Sequence, residues 1–182
     1  MTHPLFFGYG SLVNTATHDY PNPRRATLTG YRRVWRHTSL RPVAFLSVEP
    51  AADSRIEGLV AEVPHGDWAA LDLRESAYTR RDVTALTTHD GPANPVAVYA
   101  VSQGHLSDPA AAHPILLSYI DVVVQGYLRH FGPAGAQAFF DSTSGWSAPI
   151  HDDRANPLYP RAQSLTADET AFTDAALARV RG

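Results

Sequence analysis

The sequence predicts an α+β fold built on a curled sheet or small barrel. Three observations predict it. Six stretches carry the alternation or β-branched content of strands, other segments repeat their apolar residues at helical spacing, and turn signals separate the two kinds at short intervals. No internal repeat or low-complexity segment interrupts that pattern.

The first strand is the apolar run "LFFGYGSLVN" at residues 5–14, which ends in two glycines around a tyrosine. A strand that stops in a tight backbone loop reads this way, and successive N–H groups in such a loop form a concave nest for an anion. The polar, proline-bearing "ATHDYPNPRRA" reads as a connection. "LTGYRRVW", "VAFLSV", "RIEGLVAEV", "DVTALTT" and "PVAVYAVS" supply five further strands. Before "DVTALTT" lies "PHGDWAALDLRES", a short helix with Asp67 as its N-cap. A longer helix is predicted from about Pro114 to Arg129, where Ile115, Leu116, Tyr119, Val122, Val123 and Tyr127 share a stripe and proline sits in the first turn. "TADETAFTDAALARV" closes the chain as a helix whose Thr166 and Glu169 have capping-box spacing. Between these helices, residues 140–163 show no period, and a loop this long either wraps apolar surface or walls a site.

A chain of 182 residues is the usual size of one domain, and 44% hydrophobic with 18% charged residues is the balance of a globular protein. No apolar run approaches the roughly 18 residues of a spanning helix. The start "MTHPLFFGYG" lacks a basic region and a cleavage site, so the expected location is the cytoplasm. With no cysteine, thiolate nucleophiles, thiolate metal sites and disulfides are excluded. The net charge of −3 and the interrupted arginine pairs speak against nucleic acid as a partner. The nine histidines fall in no metal-ligand pattern, "HDDR" at 151–154 is only a loose acidic patch, and no metal is expected. Ser11 and Ser118 lack the nucleophile elbow of a serine hydrolase.

One carboxylate stands out. Trp68, Leu71, Asp72 and Glu75 fall at i, i+3, i+4 and i+7, which places Glu75 on the stripe that buries the tryptophan and leucine. Burial disfavours an ionised carboxylate and moves its pKa toward neutrality, where a proton shuttle works best. On spacing alone, a salt bridge with Arg74, Arg80 or Arg81 is the stronger reading of the same residue.

"FFGYGSL", "LTGYRRVW", "IEGLVAEV" leading into "LDLRESAYTRRDV", and "PVAVYAVS" follow one another in an order and spacing that resemble the γ-glutamylcyclotransferase-like superfamily. With "SYIDVVVQGYLRHFG", which is similar to that family's helix, the resemblance covers about residues 5 to 131. It implies a small mixed β-barrel with flanking helices, in a single domain over residues 1–182 whose portion from 140 to 182 is a family-variable extension. The resemblance makes Tyr9, Gly10, Ser11 and Leu12 the loop that binds a γ-glutamyl group, Glu75 the acid/base, and Tyr78 and Tyr99 tyrosines of the cavity. Two departures stand in the sequence. Leu12 follows the Y-G-S triplet where many members have asparagine, and "RESAY" lacks the glycine pair of the glutathione-specific branch.

The implied reaction turns a γ-glutamyl amine or peptide into 5-oxoproline and releases the amine, with no cofactor and a small γ-glutamyl compound as partner. A binding module that keeps the pocket without turnover, and an amide hydrolase that admits water to the same cavity, are the rival classes.

Overall fold

The computed structural model describes residues 3–38, 42–101, 106–107 and 113–182. Among the described residues there are ten strands: β1 (Leu5–Gly8), β2 (Arg24–Thr38), β3 (Ala44–Glu62), β4 (Tyr78–Asp82), β5 (Thr87–His89), β6 (Val96–Val101), β7 (Leu106–Ser107), β8 (Ile115–Leu116), β9 (Thr143–Ser144) and β10 (Ile150–His151). The helices are α1 (Ala69–Arg74), α2 (Leu117–Asp141) and α3 (Ala167–Arg181). The class is α+β, as predicted.

The main sheet runs β4-β6-β1-β3-β2-β5, with β7 and β9 on β2. β1 pairs parallel with β6 and antiparallel with β3. The edge strands β4 and β5 are consecutive in the chain, joined by the short 3-10 turn Thr84–Leu86. Six strands laid flat would span about 24 Å. The link from Asp82 to Thr87 reaches at most about 18 Å, so the sheet must curl to bring its edges together. It curls without closing, since β4 and β5 do not pair among the described residues. This corrects the expected barrel, and the reason is local. β5 is three residues long and spends its pairing on β2.

Two predicted strands, "VAFLSV" and "RIEGLVAEV", are one strand, β3, of 19 residues. The "EPAADS" between them stays extended within that strand. The β2–β3 register slips there, from Thr29↔Arg55 to Tyr31↔Pro50, opposite Gly30 at a φ of 78°. β2 also begins at Arg24, inside the segment read as a connection. "DVTALTT" divides into the end of β4, the 3-10 turn and β5.

α2 begins later and runs further than its apolar stripe indicated, and it breaks at Gly132 (φ 69°) ahead of Pro133. Its first ten residues are buried apart from Tyr119, which is half-buried. Ile120, Val123, Val124 and Tyr127 pack into the main core with Leu5, Phe7, Val98 and Trp35. A second cluster of Phe6, Leu12, Val63, Leu71 and Tyr99 lies under α1. Thr166 and Glu169 form the capping box expected for α3. No helix among the described residues is long and apolar enough to cross a membrane.

Candidate active site

β1 ends at Gly8, and the chain turns through Tyr9 and Gly10 into a 3-10 turn over Ser11–Val13. The turn closes with Val13 N–H donating to Gly10 O at 2.9 Å and Asn14 N–H to Ser11 O at 3.1 Å. Both glycines are required by close approach. A Cβ on Gly8 would lie 2.7 Å from Leu12 Cβ, and one on Gly10 would lie 2.6 Å from the Tyr119 hydroxyl. The φ of Gly10 is −122°, so space rather than a left-handed backbone demands glycine there.

The loop is anchored from behind. Asn14 Nδ2 donates to Val122 O at 2.9 Å and to Gln125 Oε1 at 3.0 Å on α2. Arg33 Nε and Tyr127 Oη donate to the Tyr9 carbonyl at 3.1 and 3.0 Å. The Tyr9 phenol donates forward to Tyr99 O at 2.6 Å, tying the loop to β6. His18 Nε2 donates to Leu12 O at 3.0 Å while its Nδ1 accepts from Tyr20 N–H at 3.2 Å, which defines the neutral Nε2–H tautomer. Burial lowers the pKa of this imidazole.

α1 is only six residues long and stops at Arg74, so Glu75 is its C-cap and not a member of the helix. Glu75 N–H donates to Leu71 O at 2.9 Å, and Glu75 O accepts from Tyr78 N–H at 2.8 Å. That turn delivers the side chain to the cavity with 16% exposure, Oε1 lying 3.3 Å from Arg74 Nε. Arg74 is therefore the ion-pair neighbour, whereas Arg80 pairs with Asp72 at 2.9 Å. Two details differ from the helix predicted here. The N-cap position belongs to Trp68, with Asp67 Oδ1 accepting from Ala69 N–H at 2.9 Å one residue earlier. Asp72 leaves the buried stripe for the surface, where it also accepts from the Tyr99 hydroxyl. In so short a helix the strand after it, not the stripe, decides where a carboxylate points.

Tyr9, Gly10, Ser11, Leu12, Glu75, Tyr78 and Tyr99 all line one recess, of about 30 Å³, together with Leu46 and Tyr119. The recess opens into an outer cavity of about 410 Å³ that shares Ser11, Leu46, Glu75, Tyr78 and Tyr119 with it. A separate cavity of about 360 Å³ behind Arg33 and Tyr127 contains none of the residues singled out from the sequence. Tyr119 is the residue that sequence reasoning missed. Its place on the apolar stripe of α2 marks it as core, and nothing in that spacing shows that its hydroxyl meets the loop.

Burial raises the pKa of Tyr9, Tyr78 and Tyr119, and the negative charge of Glu75 adds to each shift. These phenols stay protonated at working pH. The Tyr78 hydroxyl donates to Leu46 O at 2.9 Å. Ser11 lines the recess with Tyr119, and its polar groups offset part of that phenol's upward shift. Among the described residues, no group of three or more His, Asp or Glu is placed to hold a metal ion.

The segment 140–163 serves two purposes. Trp146 is buried against Trp35, Phe139 and Phe140, and Arg154 pairs with Asp121 and Asp174, so both hold the core and helices together. Leu158, Tyr159, Pro160 and Arg161 instead wall the outer cavity. The acidic patch is structural: Asp153 caps α2, accepting from Ser118 N–H at 2.8 Å and Ser118 Oγ at 2.6 Å.

A curled mixed sheet around a long buried helix, with a glycine loop and one carboxylate facing a tyrosine-lined recess, defines the class of protein to compare. Residues 6–119 match the family model described as gamma-glutamyl cyclotransferase, AIG2-like, and the chain belongs to that family. No curated protein matches the chain significantly. Among solved structures, YkqA from Bacillus subtilis is similar with a TM-score of 0.62 and 18% identity, over 83% of this chain and 57% of that one. The chain thus spans little more than half the length of that structure. A structure described as gamma-glutamyl cyclotransferase gives a TM-score of 0.61 at 12% identity, covering 94% of this chain and 98% of that one. The uncharacterized protein loc79017 from Homo sapiens gives 0.59 at 12% identity, covering 93% and 97%. At these identities the likeness is one of fold.

Proposed function

We propose that the protein cyclises a γ-glutamyl compound to 5-oxoproline and releases the attached amine, with Glu75 as general acid/base. The observation that carries this reading is the convergence of the Tyr9–Leu12 loop and the Glu75 carboxylate on one recess. Family membership supports it.

The α-amine of the substrate attacks its own γ-carbonyl carbon, forming the ring C–N bond and a tetrahedral oxyanion. Collapse breaks the bond to the leaving nitrogen. Glu75 accepts the proton from the attacking amine and returns it to the leaving nitrogen, so no water is consumed. Nucleophile and electrophile belong to one molecule, and the protein's task is to hold it folded. The Gly10–Leu12 backbone N–H groups supply donors for the carboxylate or the oxyanion. Tyr9 and Tyr78 commit their protons to main-chain carbonyls, so their oxygens have only lone pairs to offer, which suits a substrate amine. Arg74 beside Glu75 steadies the carboxylate's position.

Product analysis on a panel of γ-glutamyl peptides and amines tests the proposal. Release of 5-oxoproline supports cyclisation. Free glutamate would make the protein an amide hydrolase, and binding without either product would make it a binding module.

A further inference from the structure

We propose that the released amine is a large apolar one bearing an acidic group, as in a γ-glutamyl conjugate of an apolar or aromatic amino acid, and that Leu158, Tyr159 and Arg161 select it. The inference rests on the cyclotransferase reading above. If the reacting carbonyl sits by Glu75, the substituent on the leaving nitrogen has, among the described residues, a roomy exit in the outer cavity that shares Glu75, Ser11 and Tyr78 with the recess. About 410 Å³ is far more than a glycine-sized leaving group fills. Ala44, Phe45, Leu116, Leu158, Tyr159 and Pro160 make its walls mainly apolar.

The charges at this cavity have a sign. Arg74 is occupied, pairing with Glu75 at 3.3 Å and donating to Thr17 O and Oγ1 at 3.1 and 3.2 Å. Arg161 also lines the cavity, and among the described residues no carboxylate lies within ion-pairing distance of it. Arg74, Glu75 and Arg161 all line this one cavity. An acidic group on the leaving amine meets Arg161 there, whereas a second ammonium meets repulsion.

The wall is tied to the body of the fold. Asp153 Oδ2 accepts from Leu158 N–H at 2.8 Å while the same carboxylate caps α2 through Ser118. The Tyr159 ring packs edge-on against Tyr119, with centroids 5.0 Å apart. Leu158, Tyr159 and Arg161 lie beyond the residues 6–119 that match the family model, so the chain's own tail adds these residues to a wall that Ala44, Phe45 and Leu116 begin.

The test measures kcat/KM for 5-oxoproline release from the γ-glutamyl conjugates of phenylalanine, phenethylamine, glycine and 1,5-diaminopentane. Phenylalanine should lead, with the glycine and diaminopentane conjugates at least tenfold lower. Arg161→Gln should erase the advantage of phenylalanine over phenethylamine, chiefly through KM, and Tyr159→Ala should narrow the gap between phenylalanine and glycine. A preference for glycine or diaminopentane, or a carboxylate advantage that survives Arg161→Gln, would overturn the proposal. If none of the four releases 5-oxoproline, the cyclotransferase reading fails, and affinities for the same compounds decide the subsite. The same order then supports it, and a flat or reversed order contradicts it.

Discussion

Arg33 Nε lies 3.1 Å from the carbonyl oxygen of Tyr9, and this bond joins a buried cation to the loop that borders the recess. The same guanidinium donates to Ser142 Oγ at 3.0 Å and contacts Glu57 O and the Tyr127 hydroxyl, with no carboxylate partner among the described residues. Its rings, Tyr127 and Phe139, lie at 5.0 and 5.5 Å. Hydrogen bonds to a charged group are each worth about 1.5–3 kcal/mol. Arg33→Leu should therefore lower stability by about 3 kcal/mol or more in chemical denaturation, and Arg33→Lys, which lacks the planar fork, should recover little of it. A change below about 0.5 kcal/mol would show that the loop does not depend on this anchor.

The contact between Gly10 and Tyr119 gives a second prediction. Since a Cβ on Gly10 would sit 2.6 Å from the Tyr119 oxygen, Gly10→Ala should cost about 1–3 kcal/mol and depress turnover. Tyr119→Phe in that background removes the clashing oxygen and should restore part of the stability. Ser11→Ala should cost less than Gly10→Ala. Full activity and stability in Gly10→Ala would reduce the loop to an ordinary turn.

His18 supplies a pH dependence. Its folded pKa is lowered, chiefly by burial, so the folded state favours the neutral ring. The stability from this preference is fully present above the unfolded value of about 6.5 and is lost as pH falls from there through the folded pKa. Protonation also turns Nδ1 into a donor facing the Tyr20 N–H. Thermal melts of wild type and His18→Gln between pH 8 and 5 should show a steeper acid decline in wild type. Parallel curves would contradict this.

Trp146 separates packing from selectivity. It is 6% exposed among Trp35, Phe139 and Phe140, so Trp146→Ala should cost about 3–5 kcal/mol while leaving the order of substrate preference unchanged. Denaturation curves and the substrate panel on one preparation check both halves. A stable variant with altered preference would move Trp146 to the cavity wall.

What was legible in the sequence was whatever depends on local chemistry. The glycines at the end of β1, the capping box at Thr166 and the stripe of α2 from Tyr119 to Tyr127 are set by neighbours within a few residues and stand in the structure, whereas Ile115 and Leu116, read as part of that helix, form β8. The gathering of Tyr9, Glu75, Tyr78 and Tyr99 came from the order of blocks along the chain and not from any period. What stayed hidden is tertiary. "EPAADS" remains extended only because β2 pairs around it, Asp72 turns outward because Arg80 and Tyr99 wait there, and Tyr119 meets Gly10 across 109 residues. The tail's division between Trp146 and Tyr159 depends on the capping of α2 by Asp153, which no local pattern reveals.

The central claim is that Glu75 moves the proton, and Glu75→Gln tests it most directly, since the amide keeps the shape but cannot accept and return a proton. The measurement is 5-oxoproline formation per folded molecule, with melting temperature and γ-glutamyl ligand affinity read on the same preparation. The account predicts turnover lower by about two to four orders of magnitude with the ligand still bound. A folded Glu75→Gln protein with near-normal turnover would contradict it and leave Glu75 as no more than the partner of Arg74.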